Sequence, residues 1–317
     1  MDNKSLKNNT NVKSKSILIT GHEGLVGSHL KKRLESLNYK IIGIDLKSNN
    51  LQAKGDIRNY NLLKTKIYQA DGIIHLAAVS RVITGEQNPD LCWETNAVAS
   101  KNLLEIALNS PHKPWVIVAS SREVYGEPKK LPVNETFPLN PVNIYGKSKV
   151  ELEKNTLDAK NKGLNTVIIR LSNVYGSLND HEDRVLPAFC KAAALGKNLY
   201  VEGKNHTFDF THINDVVKAF VRLIQLMEDN CLNIPPFHFT TGVPLTLMEA
   251  AEIAVKSANS KSRIEFRKER SFDVKKFVGD PSLSKDILGF TPEILPWQGI
   301  SMFVKKYQQY YNNEVQK

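Results

Sequence analysis

Tyr145-Gly146-Lys147-Ser148-Lys149 sets a phenol and an ammonium four residues apart, which on a helix places both on one face. An isolated tyrosine loses its proton at pH ~10. A cation beside it stabilises the phenolate and draws that pKa toward neutrality, where the oxygen can take a proton from a substrate alcohol. The spacing alone is not diagnostic, because Tyr60 with Lys64, Tyr125 with Lys129 and Tyr200 with Lys204 repeat it. Gly126 and Pro128 after Tyr125, and Gly203 after Tyr200, argue against continuous helix at two of these. Tyr60 can be helical, but no hydroxyl-bearing strand end comes just before it. Tyr145 follows Ala119-Ser120-Ser121, a strand end that offers a hydroxyl to a substrate.

A second constellation lies upstream. Ser16 to Thr20 runs into Gly21-His22-Glu23-Gly24-Leu25-Val26-Gly27 and then an amphipathic stretch. Glycines let the chain turn tightly and let backbone approach a pyrophosphate, while the helix that follows aims its amides at the charge. Asp45 closes the next apolar run, where a carboxylate accepts both ribose hydroxyls of an adenosine and repels a 2′-phosphate. This favours NAD over NADP, with Lys47 as a nearby counter-signal. A positively charged nicotinamide would join Lys149 in lowering the Tyr145 pKa.

Those side chains need a frame. The runs 16–20, 41–45, 73–77, 115–120 and 166–170 are apolar on both faces and read as buried strands. Helical spacing of apolar positions marks 24–37, 95–109 and 144–162 between them, then 185–195, 213–227, 246–258 and 299–312. Alternation of this kind predicts an α/β fold with a parallel sheet covered by helices. The layout divides into a tail (1–15), a nucleotide-type domain (16–176) and a smaller lobe (177–317), with the chain crossing between the lobes. His75 lies in an apolar run and reads as a packed core histidine.

The chain has 317 residues, with 43 Lys+Arg against 33 Asp+Glu and a net charge of +10. Lys4, Lys7, Lys13 and Lys15 in the tail face only Asp2, in a segment too polar to order itself. Residues 256–276 hold eight basic against three acidic side chains, and the chain shows neither the extended basic stripe with interleaved aromatics nor the reading module of a nucleic-acid binder. A local anion site is the better reading, so a nucleic-acid partner is not expected. No apolar run reaches the ~20 residues of a membrane span, and the N-terminus has no apolar signal segment. Cys92, Cys190 and Cys231 are far apart and odd in number, which suggests neither disulfides nor a metal knuckle and fits a reducing, cytoplasmic setting.

Taken together, GHEGLVG at 21–27, Asp45, GDIRN at 55–59, HLAA at 75–78, Asn96, SSREVYG at 120–126, YGKSK at 145–149, RLSNVYG at 170–176 and the segment 270–280 resemble the extended short-chain dehydrogenase/reductases. The likeness spans roughly residues 16–312 and is specific to their NAD-dependent nucleotide-sugar epimerase/dehydratase branch. It implies a Rossmann-type doubly wound sheet with a C-terminal substrate lobe, and a homodimer built on paired helices. Asp56 and Ile57 would flank the adenine, and Leu76, Ala77, Ala78 and Ser80 would line the cofactor. Asn96 would sit among the cofactor residues and support the active-site helix. Ser121 would orient the sugar hydroxyl, Tyr145 would act as base and Lys149 would hold the nicotinamide ribose. Asn173, Arg184, Arg270 and Asp273 would serve a nucleotide-diphosphate sugar, with Arg270 on its diphosphate.

Two departures stand out. Phe208 occupies a position where many relatives carry an arginine for that diphosphate. Arg122 stands where sugar 4,6-dehydratases keep an acid, although the next residue, Glu123, survives as a catalytic candidate. The resemblance therefore implies oxidation at C4, with 4-epimerase first; 4,6-dehydratase, 4-dehydrogenase and decarboxylase stay open. An NAD-binding redox sensor without catalysis is the reading of a different class.

Overall fold

Runs rich in isoleucine and valine become strands here because a strand buried on both faces needs no polar alternation. The computed structural model describes residues 14–270 and 272–315. Its strands are β1 (Ser16–Thr20), β2 (Lys40–Ile44), β3 (Gly72–His75), β4 (Trp115–Ser121), β5 (Thr166–Leu171), β6 (Asn173–Tyr175), β7 (Leu199–Glu202), β8 (Thr207–His212), β9 (Phe237–Phe239), β10 (Pro244–Thr246), β11 (Ile264–Arg267) and β12 (Lys276–Phe277). Six form a parallel sheet in the order β2-β1-β3-β4-β5-β9. Strand order reverses between β1 and β3, so a crevice opens at their carboxyl ends.

Both faces of that sheet are covered. Ile17, Ile19, Ile74 and Ile117 pack against Phe220 and Leu223 of the helix Ile213–Glu228. Leu18, Ile42, Ile73, Val116 and Val118 pack against Leu103 and Leu104 of the helix Ala99–Leu108. The second lobe closes around Phe189, Val201, Phe210, Phe277, Ile300 and Phe303, with β8 between β10 and β12 and β11 beside β7.

Strand pairing and packing run across residue 176 in both directions. Asn173–Tyr175 pairs with β8 of the second lobe, while the helix Ile213–Glu228 and β9 return to the first sheet. Residues 1–13 of the predicted tail lie outside the described residues. Ser14 and Lys15 belong to the fold: Ser14 Oγ donates to the Asn38 carbonyl, and Lys15 pairs with Glu228 at 3.3 Å. No helix among the described residues is long and apolar enough to cross a membrane.

One buried polar knot fixes the carboxyl end of the sheet. Arg170 of β5 grips Glu153 with two hydrogen bonds, Nε to Oε1 at 2.9 Å and Nη2 to Oε2 at 2.7 Å. Its Nη1 donates to the Tyr125 hydroxyl at 2.7 Å, and Ser120 Oγ donates to Glu153 at 2.5 Å. Glu153 lies on the helix Ile144–Asn161, eight residues after Tyr145 and four after Lys149, on the face they share. Removing one partner of such a pair strands a buried charge at a cost of about 3–5 kcal/mol. Glu153→Ala should therefore lower unfolding free energy by about that amount in urea titrations. A loss under about 1 kcal/mol, the scale of an exposed pair, would show that the knot does not hold the sheet end.

Candidate active site

Gly21 lies at φ +73°, in the left-handed region that glycine tolerates. A Cβ there would stand 2.8 Å from the Ala77 nitrogen, and one on Gly27 would stand 2.2 Å from the Gly21 carbonyl oxygen. Both glycines therefore let β1, the turn and the helix Leu25–Glu35 close on one another. Gly24 begins that helix without a side-chain cap, leaving the first-turn amides to an external acceptor. Asp45 is held by backbone, accepting from the Glu23 amide at 3.0 Å and the Lys47 amide at 2.8 Å. Asp56 pairs with Arg58 at 2.6 Å, and this guanidinium holds the Asp56 carboxyl below its ordinary pKa.

The opposite wall is the helix Ile144–Asn161. Asn143 starts it by accepting from the Gly146 amide at 2.8 Å, a side-chain cap on an otherwise orphaned donor. Gly146 matters because a Cβ there would stand 2.7 Å from the Glu123 carbonyl oxygen. Its absence lets the helix press on the end of β4 and deliver Tyr145 and Lys149 beside Ser121. Lys149 Nζ donates to the Ala119 carbonyl at 2.9 Å and lies 5.8 Å from the centre of the Tyr145 ring.

Burial pushes Tyr145 up to about 12, and the Ser121 hydroxyl works against that rise. Burial also lowers Lys149 to about 8. In the protein alone the phenol therefore lies above its ordinary value; the sequence expectation joins a positively charged nicotinamide to Lys149. Desolvation outweighs a single cation whose own charge burial disfavours.

Asn96 is buried, and its contacts fit the expected support of the helix Ile144–Asn161. It sits in a π-helical turn, Glu94–Val98, within the stretch predicted as one helix. The wide turn aims its amide at two elements: Oδ1 accepts from the Val79 amide at 2.8 Å, and Nδ2 donates to Ser148 Oγ at 3.0 Å. That ties the loop after β3 to the active-site helix. His75 is a core histidine, its ring nitrogens each 2.7 Å from a hydroxyl, of Thr20 and of Ser100, and burial lowers it to about 3.

A cavity of about 880 Å³ joins these walls. Gly21, Glu23, Gly24, Leu25, Val26, Gly27, Asp45, Asp56 and Ile57 line it, together with Leu76, Ala77, Ala78 and Ser80. Ser121, Glu123, Tyr145 and Lys149 line it as well, as do Asn173, Arg184, Arg270 and Asp273. Arg184 pairs with Asp180 at 3.2 Å and Arg270 with Asp273 at 2.8 Å. Of the basic run 256–276, Arg270 alone among the described residues lines the cavity; Arg267 instead stacks on Tyr200, 3.5 Å from its ring centre. Both Glu123 oxygens are engaged, by Arg122 Nη2 at 2.9 Å and by Asn143 Nδ2 at 2.8 Å. Sequence reasoning missed Arg81, Asp180, His181 and Asp183, which also line the cavity. Arg81 and Asp183 form an ion pair between the loop after β3 and the second lobe. The dense titratable run Asp180 to Arg184 was the available signal.

An uncapped helix amide cluster, glycines where a Cβ would collide and a backbone-held carboxylate at Asp45 fit a dinucleotide. A profile of the NAD dependent epimerase/dehydratase family matches residues 17–234. A putative UDP-glucose 4-epimerase of Methanocaldococcus jannaschii is 30% identical over 91% of this chain and 97% of its own. UDP-glucuronic acid decarboxylase 4 of Arabidopsis thaliana is 29% identical over 92% of this chain and 68% of its own. Among solved structures, the UDP-glucose 4-epimerase of Thermotoga maritima with UDP-glucose superposes with a TM-score of 0.85, at 24% identity over 93% of this chain and 99% of its own. The profile covers more than half the chain, and the archaeal relative is matched nearly end to end. The chain belongs to the NAD-dependent epimerase/dehydratase family of enzymes, and NAD is its cofactor.

Proposed function

We propose that this protein is a nucleotide-sugar 4-epimerase, removing hydride from C4 of a nucleotide-diphosphate sugar and returning it to the opposite face. One observation carries the reading. Ser121, Tyr145 and Lys149 line the cavity together, while the carboxylate that an elimination would need, Glu123, has both oxygens engaged.

NAD, held by the glycine turn and Asp45, supplies the hydride acceptor. The chain supplies the rest. Ser121 orients the C4 hydroxyl, and Tyr145 takes its proton as the C4 hydride leaves, then returns it when hydride comes back. Lys149, anchored on Ala119, places positive charge beside that phenol. Asp56 and Ile57 flank the adenine, while Asn173, Arg184 and Arg270 serve the substrate, with Asp273 steadying Arg270. The arrangement also supports a homodimer through the helices about the active site, since Trp93, Val98 and Leu157 are exposed on adjoining segments. Glu123 and the likeness to a glucuronic acid decarboxylase support a second reading, decarboxylation of a nucleotide uronic acid.

Incubating the protein with a panel of nucleotide sugars and weighing the products separates these readings. Epimerisation leaves mass unchanged and inverts C4, whereas loss of water, of two hydrogens or of carbon dioxide would replace the proposal with the corresponding alternative. Tyr145→Phe should cut turnover by about 10²–10⁴-fold while bound NAD is retained; unchanged turnover would remove Tyr145 from the chemistry. In sedimentation, Trp93→Lys should convert dimer to monomer. A dimer that persists places the interface elsewhere.

A further inference from the structure

Arg122 is the cation that the site leaves incompletely used. Its side chain is 11% exposed and three of its faces are taken. Nη2 pairs with Glu123 at 2.9 Å, Nε donates to Asn173 Oδ1 at 3.2 Å, and the guanidinium lies 4.6 Å from the centre of the Phe208 ring. The fourth group, Nη1, is buried with no hydrogen-bond partner among the described residues, yet Arg122 lines the cavity. An unmet donor on a buried guanidinium is costly. It is matched best by an anionic oxygen from a ligand.

The contacts of the side chain bear on where that oxygen would come from. Arg122 leaves the end of β4, where Ser121 stands, and reaches across to β6 and β8 of the second lobe, resting on Asn173 and Phe208. Phe208 takes the place of an arginine in the resemblance described above; its ring serves instead as a plate for a guanidinium that arrives from the other lobe. The neighbouring Arg184 and Arg270 each already hold a carboxylate, Asp180 and Asp273.

We propose that Arg122 takes over the cationic role absent at Phe208, with its Nη1 donating to the diphosphate of the nucleotide sugar. Arg122 is then a substrate-binding residue that also bridges the two lobes when substrate is seated. This rests on the nucleotide-sugar reading given above.

The test uses the full chain loaded with NAD and calorimetric titration with UDP, dTDP, GDP, CDP and ADP, each compared with its monophosphate and with its glucose and glucuronic acid conjugates. Arg122→Ser should weaken the preferred diphosphate by about ten-fold or more, the scale of a hydrogen bond to a charged group, and leave the monophosphate within about two-fold. Adding Phe208→Arg to that variant should restore most of the diphosphate affinity. If Arg122→Ser fails to retain NAD, Arg122→Gln carries the same comparison. Diphosphate affinity unchanged in the variant, or a loss confined to nucleotide sugars bearing a carboxylate, would overturn the assignment while leaving the nucleotide-sugar reading intact. Failure of the unaltered protein to bind any diphosphate would overturn both.

Discussion

An arginine cannot be buried in a central strand without an acid to meet it, and the acid that meets Arg170 comes from the helix carrying the catalytic candidates. Glu153 is held by both its oxygens, so the helix Ile144–Asn161 can neither slide nor rotate on the sheet without breaking the pair. Tyr145 and Lys149 share the face of Glu153, and the same guanidinium fixes Tyr125, the last residue of the short turn that follows Ser121. The placement of Ser121, Tyr145 and Lys149 thus depends on an ion pair that touches none of them. A pair like this adds little net stability over apolar packing of the same volume; what it provides is register.

Electrostatics at the site run in opposing directions. Burial raises the Tyr145 pKa and lowers that of Lys149, so in the protein alone both side chains lean toward their neutral forms. That is the condition in which charge added beside them has the largest effect, since low-dielectric surroundings strengthen every Coulomb interaction. The tyrosine is poised to respond to positive charge in the cavity rather than deprotonated in advance.

Much of the frame was legible because its signals are local. Glycines at three-residue spacing after a β-branched run, and an acid ending the next run, specify a turn and its ligand without reference to the rest of the chain. The Tyr145 and Lys149 pair could be told from its decoys only by the strand end that precedes it. What the sequence hid was contact between distant segments. Arg170 and Glu153 are seventeen residues apart with no local pattern joining them, and Arg122 meets Phe208 only because the two lobes face each other. Residue by residue, the two departures from the family pattern look like separate losses; in space they are neighbours. Asn96 is legible as a motif residue, but the π-helical turn that holds it follows from packing.

The most direct test of C4 chemistry follows one hydrogen. A nucleotide sugar carrying deuterium at C4 should yield the C4-inverted product with deuterium still at C4 and none exchanged with solvent, since hydride leaves and returns within one closed site. Deuterium found at C6, or lost to water, would contradict the account.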